Sequence, residues 1–233
     1  MATWRVVTWN ILGQKRPDLV AVARALAERN PDGVALQEVR RSQAITLAKI
    51  LGWQHHWARK HYPYSPLLWW LAEGAAILSP HTLSRTARTS LTPRKSTWTY
   101  RHRIVTAATI SRDQLPGPQL RLYNVHLSTD GIDERIAQAR HVRCIVDAGP
   151  SVTASVAGDL NASNEPDVVR ELREAGLDDS GGDVTNPSSA PNRRLDYVLV
   201  PRGATVTVVD TPLGGDQWAA LSDHLPVLVE FTL

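Results

Sequence analysis

Cysteine is nearly missing from this 233-residue chain: Cys144 stands alone. One thiol excludes an internal disulfide and fits a reducing compartment. Its setting in a helical pattern, IDERIAQARHVRCIVDA, marks it as a core thiol. The spacings C-x-x-C and H-E-x-x-H are also missing, which argues against a zinc centre. No run of about 18 apolar residues occurs, so no membrane-spanning helix is expected. The opening MATWRVVTWNIL lacks a charged stretch followed by an apolar one, so no secretion signal is expected either. Together these absences point to a cytoplasmic protein. Internal repeats and low-complexity linkers are lacking; the nearest, "PSSAPNRR", is short enough for a surface loop. What is present suits a globular enzyme-sized unit. Apolar residues make up 42% of the chain, enough for a core, and the length fits one two-sheet α/β domain over residues 1–233, expected as a monomer.

Acid is scarce in one place only. Between Val39 and Arg112 there are twelve Lys/Arg and a single acid, Glu73, while the rest holds fourteen Lys/Arg against twenty-two Asp/Glu. The segment is thus +11 and the remainder −8, and five of the eight tryptophans fall inside the segment.

Hydrophobic periodicity alternates strands with helices. Strands are expected at Trp4–Ile11, Gly33–Val39, Ala75–Leu78, Ile104–Ile110, Leu120–Leu127, Ser155–Ala157, Leu195–Val200, Thr205–Val209 and Leu225–Phe231. Helices are expected at Pro17–Arg29, Ser42–Leu51, Ile132–Ala148 and Glu165–Ala175. Leu19, Val22, Ala23 and Leu26 share one face of the first helix. Strand pairs with no helix between them imply mixed sheets.

Ionisable and amide residues interrupt these apolar runs at their ends. "TWNIL" places Asn10 there, "LQEV" Glu38, "LYNVHLS" Asn124 and His126, "AGDLNAS" Asp159 and Asn161, "RRLDYVLV" Asp196, and "SDHLP" Asp223 and His224. A strand entering a core gains nothing from Asp223 and His224 at its mouth. Sites in sheet proteins are built at such common ends.

The ordered set TWN, QEV, NVH, GDLN, LDY and SDH resembles the endonuclease/exonuclease/phosphatase superfamily, the DNase I-like fold, from Asn10 to His224. "GAAILSP" and "ERIAQAR" resemble further segments of that family. The resemblance implies a four-layer α/β/β/α sandwich, two mixed sheets face to face with helices outside.

Hydrolysis of a phosphate ester needs charge neutralisation on the phosphoryl oxygens, an activated water and a stabilised leaving oxygen. Hard oxygen donors suit Mg²⁺, with Mn²⁺ as a substitute. Glu38 is the first choice of ligand, and the resemblance adds Asn10 and Asp223. His224 is the best candidate base, with Asp196 fixing its tautomer as the LDY aspartate does in similar enzymes. Asp159 is assigned to orient or deprotonate the water and Asn161 to donate to a non-bridging oxygen. His126 is assigned to the phosphoryl group or the leaving oxygen. Whether Asp159 or His224 takes the proton is left open. Tyr197 reads as packing.

The basic, aromatic segment suggests a nucleic acid substrate, with Arg94, Lys95, Arg101 and Arg103 on phosphates and Trp98 stacking on a base. Arg103 has a second reading as a structural salt bridge. A lipid or small phosphoester is the alternative, with "PLLWWL" as core or as an apolar patch, and a non-catalytic nucleic-acid-binding relative is a third.

Overall fold

A computed structural model describes residues 2–62, 66–112 and 117–233. Twelve strands and five α-helices occur among them, in the order β1 (Thr3–Asn10), α1 (Leu19–Glu28), β2 (Gly33–Arg40), α2 (Arg41–Leu51), β3 (Gln54–Arg59), β4 (Glu73–Ser79), β5 (Thr82–Ser90), β6 (Ile104–Ser111), β7 (Gln119–His126), α3 (Ile132–Asp147), β8 (Thr153–Asp159), α4 (Pro166–Arg173), β9 (Leu177–Asp179), β10 (Asp196–Pro201), β11 (Thr205–Asp210), α5 (Asp216–Ala219) and β12 (Val227–Thr232).

The strands form two six-stranded sheets, ordered β11-β12-β1-β2-β4-β3 and β5-β6-β7-β8-β10-β9. Only β1/β2 and β7/β8 pair in parallel; every other pair is antiparallel. The two sheets therefore follow one path. In each, a parallel strand–helix–strand unit is followed by a helix and a strand pair that extends the sheet, and a separate pair covers the other side. The parallel strands stand centrally, buried on both faces, so they read as nearly continuous apolar runs.

Three apolar layers give the four-layer sandwich. Trp4, Val6, Ile77, Ile110, Leu122, Val198 and Phe231 fill the space between the sheets. Val22, Leu26 and Leu47 of α1 and α2 cover one outer face; Ala139, Val142, Val168 and Leu172 of α3 and α4 cover the other. The first helix begins at Leu19 rather than Pro17, because the Asp18 side chain accepts from the Val20 and Ala21 amides and caps it.

The structure corrects other expectations. Cys144 is exposed on α3, on the side away from Val142. "PLLWWL" makes a short 3₁₀ segment whose Trp69 and Trp70 are 59% and 54% exposed, so it is a surface patch and not core. Asn124 lies wholly inside: its amide donates to the Leu36 and Ala76 carbonyls at 2.9 and 2.8 Å and accepts from Gln37, tying one sheet to the other. No described helix is long and apolar enough to cross a membrane.

Candidate active site

The carboxyl ends of β1, β2, β7 and β8 and the amino ends of β4, β10 and β12 open on one cleft of about 630 Å³. Asn10, Glu38, His126, Asp159, Asn161, Asp223 and His224 line it, together with Lys60, His61, Glu73, Tyr100 and Arg103.

Glu38 reaches the cleft through a defect in its strand. The β2/β4 register shifts between Leu36 and Val39, so Gln37 and Glu38 together stand opposite Ala75. Glu38 takes φ 52°, a left-handed conformation unusual outside glycine. Such a bulge re-aims one side chain at the cost of a ladder bond. Asp159 depends on a different device. Gly158 has φ 154°, and a Cβ there would meet the Val125 carbonyl oxygen at 1.9 Å. Only glycine lets β8 approach β7 closely enough to set Asp159 beside His126.

His224 and Asp196 form a hydrogen-bonded pair at the cleft. Nδ1 of His224 lies 2.8 Å from Oδ2 of Asp196. The Thr185 hydroxyl donates to the same oxygen at 2.6 Å. Trp9 donates its indole N–H to the His224 carbonyl at 2.9 Å, and Ser222 donates to the Asn10 carbonyl at 2.6 Å. Nε2 of His224 then faces Oδ2 of Asp159 at 3.8 Å. Against the burial that pulls it down, the carboxylates of Asp196 and Asp159 hold the His224 pKa up to about 10.

Asp159 is the hub. Its Oδ2 accepts from Asn10 Nδ2 at 3.1 Å and its Oδ1 from the Asn161 amide N–H at 2.9 Å. His126 Nε2 stands 3.6 Å from Asp159 Oδ2 and 4.0 Å from Glu38 Oε1. Burial raises Asp159 to about 6 despite His224 beside it. Burial, with Glu73 nearby, raises Glu38 to about 7. Burial, with Arg103 and Lys60 near, pushes His126 well below its usual range, so it is neutral; its Nδ1 is buried with no partner.

Two carboxyl groups held above their ordinary range, Asp159 buried and Glu38 half-buried, are short of positive charge. A divalent cation bound by Glu38, Asn10 and Asp223 fits that deficit, since all three offer hard oxygen. Asp159, Asp196 and His224 also bring ligand-type atoms within 4.8 Å of one another. In that group Oδ2 of Asp196 is engaged by His224 and Thr185, an arrangement that suits proton handling better than metal ligation.

The expected substrate contacts divide. Arg94 and Trp98 are exposed in the β5–β6 connection. Trp98 stacks on Tyr62 with centroids 4.7 Å apart, and Arg59 covers the Tyr62 ring. Lys95 is engaged by Glu134 at 2.5 Å and Asp130 at 3.2 Å, and Arg101 lies 3.7 Å from Asp130. Arg103 is buried; it donates to the Leu127 and Tyr100 carbonyls at 3.1 and 2.9 Å and forms no ion pair among the described residues. The salt-bridge reading of Arg103 therefore fails, and Lys95 and Arg101 spend their charge on acids of the same chain. Tyr197 packs as expected, donating to the Ala162 carbonyl at 2.7 Å.

Sequence reasoning missed Lys60, Glu73 and Thr185. Lys60 Nζ sits 2.5 Å from Glu73 Oε1, with both side chains largely buried. Glu73 carried one signal, as the sole acid of the basic segment.

Two helix-faced mixed sheets, with carboxylates, amides and histidines gathered at their common end, define a DNase I-like phosphoesterase. The chain belongs to the Endonuclease/Exonuclease/phosphatase family, whose profile matches residues 7–224. No curated protein matches it. Among solved structures, an endonuclease/exonuclease/phosphatase from Bacteroides vulgatus superposes with TM-score 0.83 at 19% identity, over 100% of both chains. The mannosyl-6-phosphatase Bt3783 of Bacteroides thetaiotaomicron gives 0.78 at 18%, over 99% of this chain and 100% of its own. D. rerio TDP2 complexed with a single-strand DNA product gives 0.75 at 18%, over 100% of both. At these identities the likeness is one of fold.

Proposed function

We propose that the protein is a divalent-metal-dependent phosphodiesterase that hydrolyses nucleic acid. The observation that carries the reading is the His224–Asp196 pair facing Asp159 across 3.8 Å, with Glu38 and Asn10 in the same cleft. A water hydrogen-bonded to both Nε2 and Oδ2 from the open side of the cleft fits that separation. Its proton passes to the Asp159–His224–Asp196 unit, which titrates as one system rather than as a single base. Asn161 and His126, as neutral donors, steady the phosphoryl and leaving oxygens. Mg²⁺ or Mn²⁺ on Glu38, Asn10 and Asp223, when bound, supplies the charge that polarises the phosphoryl group.

Nucleic acid is favoured by the rim. Tyr100 lines the cleft, while Trp98, on Tyr62, offers an exposed ring beyond it, and Arg94 remains free of ion pairs among the described residues. Flat rings beside unspent cations suit a strand whose bases stack and whose phosphates pair. The DNA-bound TDP2 structure has this fold, as does the sugar phosphatase.

The test is hydrolysis of single-stranded oligonucleotides with Mg²⁺ or Mn²⁺, repeated in EDTA, with anionic vesicles in parallel. Chelation should abolish the reaction and metal restore it. His224→Ala, Asp196→Ala and Asp159→Ala should each cut the rate by on the order of 10²–10⁴-fold, and their pairs by little more. Vesicle binding through Trp69 and Trp70 without oligonucleotide binding would replace the nuclease reading with a lipid one.

A further inference from the structure

Lys60 is one of only four lysines in a chain that otherwise uses arginine for its cations. It follows β3 and is 6% exposed. Its backbone N–H donates to the Glu73 carbonyl at 2.9 Å and its ammonium to the Glu73 carboxylate at 2.5 Å. Glu73 opens β4 as Asp196 opens β10, each one strand outward from the parallel pair of its sheet. Glu73 thus stands where Asp196 stands in the second sheet, each holding a buried basic group, although Lys60 follows a strand of Glu73's own sheet whereas His224 reaches Asp196 across the cleft.

Stability does not call for such a pair. Two charges taken from water recover little beyond their desolvation cost, and apolar residues of similar volume do as well or better. The neighbours deepen the anomaly. Arg103 is buried in the same cleft and touches only backbone carbonyls. His61 lines the cleft with Nδ1 buried and without a partner among the described residues. A buried guanidinium hydrogen-bonded only to carbonyls and a buried ring nitrogen with no partner among the described residues are both costly unless a partner is brought to them. Lys60, His61 and Arg103 together offer N–H donors and positive charge on one wall, beside the carboxylates of Glu38 and Asp159.

We propose that Lys60, His61 and Arg103 form an anion pocket for a phosphate group of the substrate, in which Glu73 is the seat that holds Lys60 until phosphate displaces it. This rests on the phosphoester reading above. A compact ammonium with three rotatable donors can turn from Glu73 to a phosphoryl oxygen without leaving its place, whereas a planar guanidinium fixed to two acceptors cannot. The pocket requires no metal, because its cations belong to the chain.

Calorimetric titration of metal-free protein with inorganic phosphate tests this. Wild type should bind. Lys60→Met should weaken binding by about tenfold or more, as loss of a charged hydrogen-bonding group does. Glu73→Gln should tighten it several-fold, because Lys60 loses its competing carboxylate, and Lys60→Met with Glu73→Gln should behave as Lys60→Met. These opposite signs separate the pocket from a merely structural ion pair, in which both single variants would weaken binding alike. Thermal melts confirm that each variant is folded; if Lys60→Met does not fold, Glu73→Gln decides alone. No phosphate binding by wild type, equal binding by folded Lys60→Met, or weaker binding by folded Glu73→Gln overturns the inference. Hydrolysis of bis-p-nitrophenyl phosphate with Mn²⁺ is scored separately. Its absence would remove the phosphoesterase reading and leave the pocket standing; its presence without the phosphate pattern would remove only the role of Lys60.

Discussion

Glu38 carries the largest tension of any single residue in the cleft. It sits at positive φ on a bulge, half-buried, near Glu73, with its pKa raised from 4.5 to about 7. A raised carboxyl means that the folded chain resists the charged form. Metal-free stability should therefore fall as pH rises from the unfolded value near 4.5 through about 7, with the loss complete above it. Glu38→Gln removes that loss. Without metal, it should melt above wild type by roughly 6–12 °C at about pH 8, corresponding to about 3 kcal/mol, and level with it at about pH 4 and below. A lower melting temperature than wild type at the alkaline end would refute the assignment. Residues such as Glu38, Asp159, Asp196 and His224 were legible in the sequence because each breaks an apolar run with a group no core wants. Lys60 was not legible: one cation among twelve in a basic segment carries no mark of burial, and only the fold shows that Glu73 reaches it. Thr185 lies outside every run, and its bond to Asp196 is a product of tertiary packing.

At the scale of elements, the strands found from sequence were the inner ones of both sheets and the edge strand β11. β3, β5 and β9 were missed, and all three border open edges of their sheets or stand beside them. QHHWAR and TLSRTARTS keep one buried residue between them, the rest being exposed or half-buried, so they show no apolar alternation to read. The β5–β6 connection was legible in composition and not in pairing. Lys95 and Arg101 point charge at Asp130 and Glu134, which lie far on in sequence. Their separate fates give a prediction. Arg94→Ala should lessen the slope of log K against log[salt] for oligonucleotide binding by about 0.7–0.9, while Lys95→Ala should leave the slope nearly unchanged. Equal effects from the two would show that Lys95 leaves its acids to meet phosphate. The β7–β8 junction makes a second prediction. Gly158→Ala places a methyl group against backbone that cannot yield, so stability should drop by about 3 kcal/mol or more, read as a lower urea midpoint.

Across the whole molecule, the sheets repeat one path although the sequence shows no repeat. What is kept is the placing of polar residues: Asn10 and His126 end the first parallel strands, Glu38 and Asp159 belong to the second, and Glu73 and Asp196 open the antiparallel neighbours. A repeat of this kind is invisible to sequence comparison because the strands need only apolar residues, and many sequences meet that need. The cleft is thus a seam. Asn10, Glu38, Glu73, Asp223 and His224 come from one sheet's strands and loops, and His126, Asp159 and Asp196 from the other's. A cation held by Glu38, Asn10 and Asp223, as proposed above, would add positive charge at that seam, near Asp159 as well as at its own ligands. Binding to the folded chain alone should stabilise it by about 2.7 kcal/mol at a metal concentration 100 times Kd. For a chain of this length that corresponds to a rise in Tm of roughly 5–11 °C. Protons compete at Glu38, near 7, and at Asp159, near 6, so the rise should shrink as pH falls through that interval. Thermal melts with and without Mn²⁺ across that range measure it. A shift that persists undiminished below both values would place the ion on other residues, and so would a shift that survives in Glu38→Gln.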